Sequence, residues 1–215
     1  VVTPSVEDWM QRPPPDEPAP PRPLAPSRPS AADPPTLSPI GGPSENRFKR
    51  GLIVHRLLQL LPDLPAADRR AACVAFLARP GHALPAGEQQ GLADEVMAIL
   101  EMPEFADLFG PASRAEVPLI GTIAGPDGPE VIAGQVDRLL VLPDEIVVLD
   151  YKTSRPPPDL QENVAPAYLR QMAAYRAVLA EIWPNRPIRC GLLWTAVPRL
   201  MTLDDSLLDR VRVAT

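Results

Sequence analysis

Asp150 and Lys152 stand two residues apart at the end of the run Glu145-Ile-Val-Val-Leu-Asp-Tyr-Lys-Thr153, and Asp137 lies thirteen positions earlier in Gly134-Gln-Val-Asp-Arg-Leu-Leu-Val141. On a strand, residues i and i+2 share a face, so Asp150 and Lys152 project to one side and Tyr151 to the other. A neighbouring strand bearing Asp137 sets a second carboxylate beside them. Two carboxylates and an ammonium group at one edge of a sheet can hold a hard divalent cation and place a water next to it. The chemistry so outlined is metal-assisted hydrolysis of a phosphodiester. An isolated Asp-Xaa-Lys is more often an ordinary strand-end ion pair, and Asp137 alone would be a turn or surface residue. An acid closing the apolar run Ile146 to Leu149 weighs against those readings, because desolvating a charge is expensive unless something binds it.

The elements that must position these groups follow from periodicity and punctuation. Ser44 is a candidate cap for a helix with apolar positions Leu52, Ile53, Leu57, Leu60 and Leu61, ending near Pro62. Ala66 to Ala78 and Glu88 to Glu101 read as two more helices, divided by Pro80-Gly81 and by Pro85 to Gly87. The period then changes. Ala115 to Ile123, Val131 to Leu142 and Glu145 to Thr153 read as strands, with turns at Gly125 to Pro129 and at Pro143-Asp144. A helix is expected from Pro166, a favoured first-turn residue, to Trp183, and then strands over Pro187 to Val197 and Leu200 to Leu203. This order gives an α/β class with a mixed sheet, and the connection through the 166 to 183 helix is long enough to cross over to a parallel neighbour.

Composition bounds the rest. The first forty-five residues hold fourteen of the 31 prolines and read as a solvated, polyproline-like linker, which leaves 46–215 as one domain. No apolar run is long enough for a membrane span, so no membrane partner is expected. Cys73 and Cys190 make neither a disulfide framework nor a metal cluster, and a cytoplasmic protein is the simple reading. The linker holds three basic and six acidic side chains, and the remainder eighteen and twenty-one. An autonomous DNA binder usually shows a basic face, so this balance suits a domain that receives its strand from an attached motor. No Gly-Xaa4-Gly-Lys-Ser/Thr loop occurs, and any ATP-driven part is expected upstream.

Gly51-Leu-Ile-Val-His55, the Gly-Xaa-Xaa-Asp of residues 134–137, Asp150-Tyr-Lys-Thr153 and Gln171-Met-Ala-Ala-Tyr175 occur in the order found in the RecB-like branch of the PD-(D/E)XK nuclease superfamily. From about Arg47 to Leu203 the chain most resembles the nuclease domain of AddA-type helicase-nucleases. The resemblance implies a three-layer α/β/α, restriction-endonuclease-like fold preceded by a helical segment. It implies a Mg²⁺-dependent (or Mn²⁺-dependent) deoxyribonuclease in which His55, Asp137, Asp150 and the Tyr151 carbonyl hold the cation. Lys152 would orient or deprotonate the attacking water, and Gln171 and Tyr175 would position the strand. It further implies exonuclease action on single-stranded DNA from upstream helicase domains, with an AddB-type subunit as partner, in double-strand break repair and recombination. The four cysteines that hold an iron–sulfur cluster in some relatives do not occur, so none is expected.

On the residues alone, His55 would be a hydrogen-bonded structural histidine, with Leu52 and Leu58 three positions to either side. Gln171 and Tyr175 share a helix face with Tyr168 and would be the wet side of an amphipathic helix. The resemblance reverses both readings. Glu116 stays open between a carboxylate that supports the ligands from behind and a solvated edge residue. A nuclease-like module without catalysis, serving DNA handling or subunit docking, is the alternative function.

Overall fold

The computed structural model describes residues 44–125, 128–153 and 156–211, together with 25 and 26. The linker expected over 1–45 falls almost wholly outside them. Helix α1 spans Ser44–Leu60 and passes into a short 3-10 turn, Leu61–Asp63, that carries Pro62. Pro65 and Pro85 stand at the N-caps of α2 (Ala66–Leu77) and α3 (Ala86–Glu101), where a missing N–H is no loss. A longer 3-10 stretch, Pro103–Phe109, leads to the strands.

Strands β1 (Ser113–Gly125), β2 (Gly128–Val141), β3 (Ile146–Lys152), β4 (Ile188–Trp194) and β5 (Arg199–Leu203) lie in that order in one sheet. β3 and β4 are parallel, in register from Ile146 opposite Ile188 to Lys152 opposite Trp194; the other pairs are antiparallel. Helix α4 (Pro166–Ile182) makes the expected crossover between the parallel strands. Its first turn starts on Pro166, and the Ala165 carbonyl receives the Tyr168 and Leu169 amides.

Two apolar layers sandwich the sheet. On one face Leu169, Met172, Val178 and Leu179 of α4 pack on Ile132, Ile146, Val148 and Leu192. On the other, Val54, Leu57 and Leu58 of α1 and Val96 and Ile99 of α3 pack on Leu140, Val147, Leu149 and Tyr151. β3 therefore alternates strictly, sending Val147, Leu149 and Tyr151 towards α1 and α3, and Ile146 and Val148 towards α4. Each aliphatic side chain fully buried in this way contributes about 1.5–3 kcal/mol. The result is the α/β/α restriction-endonuclease-like arrangement with its helical N-terminal segment.

Three details depart from the sequence reading. The buried stripe of α1 is Ile53, Val54, Leu57 and Leu58, continued by Leu61 in the 3-10 turn, whereas Leu52 and Leu60 are 57% and 39% exposed. The sheet accepts only one stripe, and its centre runs through Val54 and Leu58. β1 and β2 extend beyond their expected ends into a long hairpin that pairs Gly125 with Gly128. A four-residue helix, α5 (Asp205–Leu208), follows β5 and is too short for periodicity to reveal.

Candidate active site

The pairing of β2 with β3 stops at Arg138 opposite Leu149. One residue further, the Asp137 side chain takes over from the backbone, and its Oδ2 accepts the Tyr151 amide at 2.6 Å. Asp137 also marks a slip in the strand's alternation. Ile132 and Val136 face α4 at even positions, yet beyond Asp137 it is Leu139 that lies on that side while Leu140 lies under α1. Across the β1–β2 pair, the residue between the Ala115–Arg138 and Val117–Val136 partners is Glu116, whose φ of 53° is left-handed. A non-glycine residue there is strained by about 1–3 kcal/mol, and such strain clusters at functional sites.

Glu116 and Asp137 both lie on the α1 side of the sheet, where His55 projects. His55 Nδ1 lies 3.1 Å from Asp137 Oδ1. One ligand atom from each of His55, Glu116 and Asp137 falls within 4.8 Å of the other two. Burial works against the His55 imidazolium, but the hydrogen bond and charge of Asp137, with Asp150 and Glu116, outweigh it and push the pKa up. Burial and then the charge of Asp137 likewise raise the Glu116 carboxyl. One imidazole nitrogen beside two carboxylates, one of which disfavours the ionisation of Glu116, suits a divalent cation such as Mg²⁺ or Mn²⁺.

Asp150 stands outside that trio, committed to α4. Its Oδ1 accepts the Gln171 amide at 2.6 Å, and its Oδ2 lies 2.5 Å from Lys152 Nζ. Lys152 also donates to Gln171 Oε1 at 3.0 Å, so one glutamine clamps both members of the pair. Asp150 is only 4% exposed, and burial, with the charge of Asp137, lifts its pKa despite Lys152. The Lys152 ammonium is also buried, yet the Asp150 carboxylate more than compensates and holds its pKa above the ordinary value.

Gln171 and Tyr175 are both buried rather than wet. The Tyr175 hydroxyl donates to the Gln135 carbonyl at 2.9 Å, two residues before Asp137, so it lies beneath the site and ties α4 to β2. Gly134 makes room for it. A Cβ there would come within 2.8 Å of the Tyr175 ring and hydroxyl. Gly51 serves α1 similarly, since a Cβ would meet Thr153 Oγ1 at 3.3 Å as the helix passes the end of β3.

Arg138 is a residue the sequence reading did not single out. It is 3% exposed, its Nε donates to the Tyr151 hydroxyl at 3.0 Å, and its Nη2 donates to the Leu58 carbonyl. A buried guanidinium thus fastens α1 to β2 and β3 one turn after His55. Thr195 forms a second brace, with its amide on the Lys152 carbonyl at 2.9 Å and its hydroxyl on Glu95 Oε1 at 2.8 Å; Glu95 in turn pairs with Arg50 of α1. A charged residue next to Asp137 was the available signal for Arg138, but nothing in a helical pattern distinguishes Glu95.

Cys73 and Cys190 are free and buried, and burial pushes their thiols up to about 11 and about 12, which leaves both inert. Among the described residues no helix is long and apolar enough to cross a membrane.

A family model described as PD-(D/E)XK nuclease superfamily matches residues 36–205. No curated protein matches the chain. Among solved structures, one titled "Crystal structure of SSO0001" is similar at 14% identity over 79% of this chain and 84% of that chain, with a TM-score of 0.33, too loose a likeness to carry weight.

Proposed function

The chain belongs to the PD-(D/E)XK nuclease superfamily, and on that premise we propose that it is a metal-dependent deoxyribonuclease of the RecB-like, AddA type. In this reading it is an exonuclease that trims single-stranded DNA delivered by helicase domains upstream in the same chain. It works with an AddB-type subunit in the cytoplasm, in double-strand break repair and recombination. The observation that carries the hydrolytic reading is one juxtaposition at the end of the sheet. The His55–Glu116–Asp137 donors sit beside the Asp150–Lys152–Gln171 network.

His55, Glu116 and Asp137, with Asp150 next to them, are the residues that would hold Mg²⁺ or Mn²⁺. Such a cation, when bound, polarises a phosphoryl oxygen and lowers the pKa of a water. Lys152, with its pKa raised by Asp150, is an ammonium at neutral pH. It therefore orients the attacking water and offsets charge developing on phosphorus; of the two roles the resemblance implied, taking the proton is the one its charge disfavours. Gln171 keeps that ammonium and the Asp150 carboxylate in one geometry, and Tyr175 anchors the strand that carries Asp137.

The test is cleavage of an end-labelled single strand by the domain with Mg²⁺ or Mn²⁺, beside Asp137→Asn and Glu116→Gln. The expected outcome is metal-dependent cutting by the wild type alone. A wild-type domain that binds DNA without cutting it under either metal would instead establish the non-catalytic module.

A further inference from the structure

An ammonium group has three N–H donors. In Lys152 one is taken by Asp150 Oδ2 at 2.5 Å and one by Gln171 Oε1 at 3.0 Å. Among the described residues its next neighbour is aromatic, for Nζ lies 3.8 Å from the centroid of the Tyr168 ring. The Lys152 side chain is 11% exposed, so the ring face stands where water would otherwise be. A cation over a ring face is drawn by the ring's quadrupole, and the attraction grows as water is removed. The ring has its own support. Trp194, which is 3% exposed and lies opposite Lys152 in the β3–β4 register, packs against Tyr168 at 6.3 Å with the planes tilted by 60°.

We propose that the face of the Tyr168 ring positions the Lys152 ammonium for the chemical step, and that the ring rather than its hydroxyl does so. The proposal rests on the nuclease reading above. Asp150 and Gln171 hold the ammonium from two directions, and both belong to the same hydrogen-bonded network. The ring holds it from a third direction that does not depend on Asp150. Tyr168 is thus a positioning residue, acting on rate through Lys152 and not through affinity for DNA or metal.

The experiment is single-turnover cleavage of an end-labelled single strand at saturating Mn²⁺, across a range of DNA concentrations. Tyr168→Leu should cut about tenfold more slowly at saturating DNA, as expected for loss of a desolvated cation–π contact. Half-saturation by DNA and the rise in melting temperature on adding Mn²⁺ should stay as in the wild type. Tyr168→Phe keeps the face and should restore the rate to within about twofold, on the same electrostatic argument. Replacing Tyr168 with phenylalanines carrying successively more ring fluorines should slow cleavage step by step, because fluorine withdraws the quadrupole at nearly constant shape. Wild-type rates in Tyr168→Leu, a Tyr168→Phe as slow as Tyr168→Leu, or a flat fluorine series would each overturn the proposal. Lys152→Ala separates the two levels: if it cuts as the wild type does, the role given to Lys152 is wrong and the proposal falls with it. A wild-type domain with no metal-dependent cleavage removes the nuclease reading itself.

Discussion

Asp137 has two separable jobs, and a pair of substitutions divides them. Its Oδ2 satisfies the Tyr151 amide where the β2–β3 ladder ends, and its charge raises the pKa of Asp150 and Glu116. Asp137→Ala removes the acceptor and leaves an amide without its partner on a residue that is 3% exposed. An unsatisfied buried donor costs about 1–3 kcal/mol. For a domain of this size each kcal/mol is worth roughly 3 °C, so the metal-free melting temperature should fall by about 3–9 °C. Asp137→Asn keeps an oxygen for the amide and removes the repelling charge, so it should melt at or above the wild-type temperature. Both variants should lose cleavage and most of the stabilisation by Mn²⁺. Thermal melts with and without Mn²⁺, alongside the cleavage assay, test all of this. If the alanine and asparagine variants melt together, the Asp137–Tyr151 bond does not hold the splayed strands, and the account of how the site is built fails.

Gly134→Ala should destabilise the domain by about 1–3 kcal/mol, because its Cβ would press on the Tyr175 ring; a wild-type melt would show that α4 yields freely. Lys152→Ala should lose at least about a hundredfold in cleavage rate while Mn²⁺ binding, followed by calorimetry, stays near wild type. A large loss of metal affinity would mean that Lys152 chiefly organises Asp150. His55, Glu116 and Asp150 all have folded pKa values above the ordinary ones, so each holds its proton more tightly in the folded state. Their contribution to metal-free stability therefore falls as pH rises from the ordinary to the raised values, while cation affinity grows as they deprotonate. The melting-temperature increment from Mn²⁺ should accordingly widen as pH rises from the ordinary carboxyl range, about 4, past the ordinary imidazole value, about 6.5, and an increment independent of pH would exclude these residues as ligands.

Strand period and the Asp-Xaa-Lys spacing were sufficient to place Asp150 and Lys152 on one face, whereas the length of the 166–182 connection only allowed the crossover that sets β3 and β4 parallel. Residues that act through regular backbone are legible in this way. Glu116 stayed open in the sequence, because its place beside His55 and Asp137 goes with a left-handed φ that no side-chain pattern announces. Leu52 misled for a related reason. Its type fits an apolar stripe, but the sheet receives the stripe through Val54 and Leu58, and only the tertiary contact chooses between two nearly equivalent faces. Arg138 and Glu95 are charged residues in the interior whose partners lie on other elements, at Leu58, Tyr151 and Thr195, so their worth is invisible until the chain is folded.

The distribution of the site along the chain bears on when it can come into being. Its donors arrive from residues 55, 116 and 137, its ammonium from 152, and the clamp that orients that ammonium from 171. Contacts so distant in sequence form late, after loops of tens of residues have closed. A chain growing from its N-terminus can assemble β1, β2 and β3 against α1, yet Asp150 and Lys152 then lack Gln171, and β3 lacks the parallel neighbour that covers its other edge. No N-terminal fragment that stops before α4 carries the complete constellation. The order of residues thus withholds the complete constellation until α4 has been made, after β1, β2 and β3 are already available to receive it.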